Sequence, residues 1–197
     1  MVVGKNGGVA RSQSISTKES AMEVKILEEH GYEPALLGLS LSYGQDVAKM
    51  PAVARRLASK GNGHNKFLES IMVWLDITAP RYWWQQFDTY RVGVTKQSES
   101  TMHLITNRPL TQNDFAHPVP EEHLAHLNRL IQEQKWEEVK WDLPESFQQR
   151  RVVCLSYMAL QRIVRQRRKH RLPEWPEFIR MILEQVEHPE FLESAKS

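Results

Sequence analysis

The stretch GHNKFLESIMVWLDITAPRYWWQQFDTYRVG, residues 63–93, decides the fold. Its middle carries the strongest strand signal in the chain. Over 67–77, Ile71, Val73, Leu75 and Ile77 alternate with Met72, Trp74 and Asp76, the period-2 pattern of a strand. Thr78-Ala79-Pro80 then reads as a helix start, with Thr78 as the cap and proline in the first turn. Trp83, Phe87 and Tyr90 follow at helical spacing, and Gly93 ends that helix. Trp83 and Trp84 are adjacent and so face different sides of it. Trp83 and Phe87 are therefore expected in the core, and Gln86, Tyr90 and Arg91 are left as the better site candidates. Upstream, the glycines at 61 and 63 beside His64 would let a ligand approach the backbone, although the same residues also read as an ordinary turn.

Working outward, Val24 and Ile26 alternate with Glu23 and Lys25, which predicts a short strand. The apolar, glycine-containing run 36–41 leads into Ser42-Tyr43-Gly44. A helix is expected over 46–59, with Val47, Met50, Ala54 and Leu57 on one face and a kink at Pro51, ended by Gly61-Asn62-Gly63. Residues 106–120, rich in Pro, Asn and Asp, read as a loop. Helices are expected over 121–134, 144–169 and 174–188, the last with Trp175, Phe178, Ile179, Ile182, Leu183 and Val186 on one stripe. The whole reads as α+β, with helices dominating the second half. Residues 1–20, with three glycines, four serines and no aromatic residue, read as a flexible N-terminal arm before a single domain over 21–197.

A chain of 197 residues suits one domain and buries roughly 70% of its unfolded surface, enough for a core without staples. A hydrophobic fraction of 41% and a charged fraction of 25% exclude wholesale disorder. No apolar run is long enough to cross a membrane, and no targeting pattern stands out in 1–20, so a cytoplasmic protein is expected. Cys154, the one cysteine, excludes an internal disulfide, a cysteine-based zinc site and a CxxC redox pair. A net charge of +2 does not mark the whole chain as a nucleic-acid binder.

The sequence has no P-loop, no GxGxxG after a strand, no HExxH and no GxSxG. His123 and His126 lie three apart on a helix without an evident carboxylate pair, which is the pattern of a solvated face. Cys154, among Val152, Val153 and Leu155, reads as a buried inert thiol. The run from Arg162 to Arg171 is different. It holds six basic groups and His170 in ten residues, with no acid. Cations complement a helix C-terminus, but six exceed what capping needs, and the planar fork of arginine suits phosphate.

Taken together, the segments resemble the flavin-dependent thymidylate synthases. Gly63-His64-Asn65-Lys66-Phe67-Leu68-Glu69-Ser70 resembles that family's G-H-x-S/T-x-x-E-H, followed by the strand at 71–77 and a helix ending Thr89-Tyr90-Arg91 where the family has R-H-R. Gln97-Ser98-Glu99-Ser100 stands where the family has its Ser/Asn/Glu/Arg-bearing loop. Lys140-Trp141-Asp142-Leu143-Pro144 resembles R-x-x-L-P, 160–167 resembles L-x-x-F-L-x-x-R, and 175–179 resembles the Q-W-E-I that follows. Order and spacing match over roughly 22–190.

The resemblance implies a small antiparallel sheet with long helices, FAD as cofactor, dUMP as substrate, and methylenetetrahydrofolate and NADPH as co-substrates. It also implies a homotetramer with active sites at subunit interfaces. By position it puts Ser42, His64, Glu69, Tyr90 and Arg91 on the flavin side, and Gln86, Ser98, Ser100, Lys140 and Arg167 on the nucleotide, with Arg167 as the catalytic residue. The sequence departs from the family at Thr89 and Tyr90, which replace Arg and His, at Lys66 in place of a small hydroxyl, and at Thr101 or Met102 where the loop has its final arginine. Ser156, Met158 and Arg162 stand at positions that approach FAD in the family. The reaction expected is one-carbon transfer to C5 of dUMP or a variant of it. The alternatives are a nucleotide-binding protein of the same fold without flavin chemistry, and a nucleic-acid-binding module using Arg162 to Arg171.

Overall fold

The computed structural model describes residues 22–193; the arm expected over 1–20 lies outside the described residues. The strands β1 (Glu23–His30), β2 (Met72–Pro80), β3 (Val94–Ser98) and β4 (Gln148–Ser156) form one antiparallel sheet in the order β1-β2-β4-β3. Helices α1 (Tyr32–Tyr43) and α2 (Met50–Ala58) lie between β1 and β2, and α3 (Arg81–Phe87) between β2 and β3. Helices α4 (Thr101–Leu104), α5 (Glu121–Gln132) and α6 (Trp136–Asp142) precede β4, while α7 (Tyr157–Arg167), α8 (Glu174–Gln185) and α9 (Glu190–Glu193) follow it. The α+β class and the small antiparallel sheet are as expected.

Alternation on β2 does what the sequence pattern implies. Val73, Leu75 and Ile77 are fully buried together with Val153 and Leu155 of β4, while Trp74 stays partly in solvent on the other face. Edge strand β1 is tied to α8 through Gln185, whose Oε1 accepts from the Ile26 amide at 3.2 Å and whose Nε2 donates to the Val24 carbonyl at 3.0 Å. Two of the groups an edge leaves unpaired are thereby satisfied. A second apolar cluster, built on Leu127, Leu130, Ile131 and Val139, joins α5 to α6 under the 105–119 segment.

Several expectations need correction. The helix expected over 144–169 is β4 followed by α7. Its first half pairs with both β2 and β3, and Ser156 marks the changeover by accepting the Ala159 amide on its side chain at 3.2 Å. β2 starts at Met72, after a single 3-10 turn over Lys66–Glu69, and runs on through Thr78, which sits in the ladder opposite Glu23 and Arg150. The helix therefore opens at Arg81 with Pro80 as its N-cap. It stops at Phe87, and the segment after it becomes β3. Pro51 does not kink a helix but stands in the first turn of α2, where its missing N–H costs nothing. Trp83 and Trp84 are both buried. α3 is covered on two sides: Trp83 packs on Trp175 and Phe178, while Trp84 lies under the Arg151 guanidinium and donates to the Gln149 carbonyl at 2.9 Å.

Candidate functional site

The ends of α3, α7 and α8 converge on Arg167. Its Nε donates to the Tyr90 hydroxyl at 2.9 Å, and that hydroxyl donates to Gln166 Oε1 at 2.9 Å. Its Nη1 donates to Gln86 Oε1 at 3.3 Å, an oxygen that also accepts from Trp175 Nε1 at 2.8 Å. The guanidinium carbon lies 4.8 Å from the Trp175 ring centre and 5.6 Å from that of Tyr90, within cation–π range of both. Half-buried and held on two sides, Arg167 keeps the rest of its five N–H donors for a ligand. The clamp has structural support beside it. Glu174, buried at the start of α8, accepts from the Tyr82 hydroxyl, which also meets His117 Nε2 at 3.1 Å. Burial and the Glu174 carboxylate together push the Tyr82 phenol well above its ordinary range, so it stays a neutral donor.

Tyr90 is 5% exposed, with its ring against Phe87 and Trp175 and with Arg162 and Arg167 both within 6 Å of its centre. It positions the guanidinium and has no open face for another ring.

A second group forms at the other end of α3. Ser98 at the end of β3, Ser100 at the N-cap of α4, Lys140 on α6, Arg81 and Gln149 line a cleft of about 390 Å³. Arg81 is anchored through Nη1 on the Leu143 carbonyl at 2.9 Å, and Gln149 donates to the Glu99 carbonyl at 3.1 Å. Lys140 is exposed and has no ion-pair partner among the described residues. This end of the molecule offers hydroxyls and cations suited to phosphate oxygens.

The structure thus brings Gln86, Tyr90 and Arg167 together, and Ser98, Ser100 and Lys140 together, as separate groups. Ser42, His64, Glu69 and Arg91 are exposed and join neither. Ser42 bonds back to the Gly38 carbonyl at 3.4 Å. His64 lies in the turn before Asn65, which is anchored to Gln161 of α7 at 3.3 Å. Sequence reading missed Arg81, Gln149 and Trp175. Trp175 was hidden in an apolar stripe, Gln149 in a segment read as helix, and Arg81 in a helix start whose cap was placed two residues early, at Thr78 and not Pro80.

Compared by sequence, the chain matches no protein-family model and no curated protein. Compared by structure, it is similar to two crystal structures of the flavin-dependent thymidylate synthase ThyX from Helicobacter pylori with FAD and dUMP. One superposes with a TM-score of 0.74 at 16% identity, covering 89% of this chain and 100% of that one. The other gives a TM-score of 0.74 at 17% identity, covering 87% and 97%. The chain has a ThyX-like fold.

Proposed function

We propose that the chain binds a pyrimidine nucleotide of the dUMP type and transfers a one-carbon unit to its C5. Arg167 acts at the pyrimidine oxygens, and Ser98, Ser100 and Lys140 act at the phosphate. The observation that carries the reading is the Arg167 clamp. An electron-rich C5 leaves negative charge on the ring oxygens, and a guanidinium already fixed by Tyr90, Gln86 and Trp175 stabilises that charge with little reorganisation. With Gln86 Oε1 taken by Trp175 and Arg167, its amide NH2 remains to donate to a carbonyl edge of the base.

The similar ThyX structures hold FAD beside dUMP. A flavin, when bound, supplies the reducing hydride. Ser42, His64, Glu69 and Arg91 are exposed in one chain, so in this reading a second copy in a homotetramer closes the flavin site over them. Methylenetetrahydrofolate and NADPH enter only with that chemistry. The locked ring of Tyr90 favours a second reading, a nucleotide-binding protein that has lost the flavin. The exposed Arg165, Lys169 and Arg171 would serve a third, nucleic-acid binding.

Absorbance of freshly purified protein separates the first two, yellow against colourless. Calorimetric titration with dUMP, dCMP and dTMP, together with thermal melts, tests nucleotide binding itself, since a ligand bound by the folded state raises the melting temperature. No heat and no thermal shift with any of the three would reject both. Binding that is indifferent to the base and falls steeply with salt would favour the third.

A further inference from the structure

The polar cleft has a neighbour. A cavity of about 310 Å³ adjoins it, and both share the 99–101 segment and Gln149 as walls. Its floor is apolar, formed by Ile105, Leu110 and Phe147, with Leu104 at its rim and the Asn107 amide beside it. Each space is the size of a small-ligand pocket. A mononucleotide with its phosphate in the cleft and its base at an Arg167 clamp would leave the apolar chamber unused. We propose that the chamber takes a flat group esterified to that same phosphate, so that the preferred ligand is a pyrimidine nucleotide in phosphodiester linkage, with the neighbouring base in the chamber. The inference rests on the nucleotide reading above and narrows its substrate class.

Charge points the same way. A phosphate monoester carries close to two negative charges at neutral pH, and a diester carries one. Lys140 is the cation without an acidic partner in the cleft, while Arg81 is shared with the Leu143 carbonyl and lies 3.5 Å from Glu145. Glu99 lines the wall common to both spaces, and Arg108 on the chamber wall is already paired with Asp114 at 2.9 Å. That balance suits one negative charge better than two. Within the chamber the Phe147 ring, half-buried and set edge-on to Phe115 at 5.9 Å, gives a base an apolar surface, and the Asn107 amide can both donate to and accept from its edge.

The test compares dUMP with the dinucleotide thymidylyl-(3′→5′)-deoxyuridine, by calorimetric titration of the full chain at fixed salt. Leu104→Asp supplies the variant: the residue is 44% exposed, so folding should survive, and the new carboxylate sits at the chamber rim. The dinucleotide is expected to bind at least tenfold tighter than dUMP, and Leu104→Asp to remove that advantage while leaving dUMP affinity within twofold. A dinucleotide no tighter than dUMP overturns the inference and leaves the nucleotide reading standing. So does an advantage that survives Leu104→Asp, which would place the second nucleoside outside the chamber. No binding of either probe overturns both.

Discussion

Arg167 differs from the cations around it in what holds it. Arg168 lies 3.9 Å from Glu193 with half its side chain in solvent, and Lys169 is exposed. Arg167 has two aromatic rings and two hydrogen-bonded partners. A partly buried charge-assisted contact contributes about 1.5–3 kcal/mol, whereas exposed ion pairs contribute about 0–1 kcal/mol. Arg167→Ala is therefore expected to weaken dUMP binding at least tenfold with the melting curve still cooperative, and Arg168→Ala and Lys169→Ala to leave it almost unchanged. Tyr90→Phe, which keeps the ring and removes the hydroxyl that fixes Nε, should fall between them. Equal small losses at all of these positions, read by titration, would describe a diffuse basic surface. Residues 86, 90 and 167 could be found in the sequence because segment order survives divergence. The partner that orders Gln86 could not be, because an indole buried at a stripe position gives no sign that its N–H is engaged.

Among the elements, β2 was legible and β4 was not, and one residue accounts for much of the difference. On β2 every inward position is apolar. On β4 the inward row includes Arg151, whose guanidinium stacks 4.3 Å from the Trp84 ring and bonds Asp88 at 3.0 Å. A cation on the core face erases the alternation that marks a strand, and the apolar run that follows then reads as helix. β3 is an edge strand with Val94 as its one apolar residue, so periodicity had nothing to register. At the corner between β1 and α1 the constraint is steric. Gly31 has φ +98°, and a Cβ there would stand 2.1 Å from the Ser70 carbonyl oxygen, at the entry to β2. Gly44, at the end of α1, has φ +60° and open space around it. A left-handed backbone costs an L-residue about 1–2 kcal/mol, and overpacking adds about 1–3 kcal/mol. Gly31→Ala should thus lower stability by at least twice as much as Gly44→Ala, measured as the loss in melting temperature of the two variants side by side. Equal losses would mean that the corner relaxes without strain.

At the scale of the whole molecule, the two halves of the site lie on opposite aspects of α3. Arg81 lines the polar cleft and Gln86 joins the Arg167 clamp. Five residues at 3.6 per turn set them about 140° apart around the helix axis, so one small ligand does not reach both within a chain. A nucleotide held by both halves needs a second copy, as the homotetramer expected from the resemblance would supply. The surface that would carry this contact differs from the one the sequence suggested. The apolar stripes of α7 and α8 are covered inside the chain by one another and by the sheet. Exposed apolar side chains lie elsewhere, among them Val92 at 76% and Trp141 at 74%, and three share α1: Leu37 at 54%, Leu41 at 77% and Tyr43 at 45%. Leu37 and Leu41 are one turn apart and share a face, the kind of apolar surface that an interface covers. Light scattering at micromolar concentration is expected to give a mass near four times the 23.0 kDa of one chain. Leu41→Glu should lower that mass, because a charge on each copy meets its own kind across a symmetric interface. Mixing supplies the sharper criterion. Lys140→Ala and Arg167→Ala should each bind dUMP poorly alone, yet recover part of the binding when dissociated and reassembled together, since a mixed oligomer can pair an intact cleft on one chain with an intact clamp on another. A mass near that of a single chain, or mixed variants that stay as weak as either parent, would mean that the two halves of the site serve different ligands.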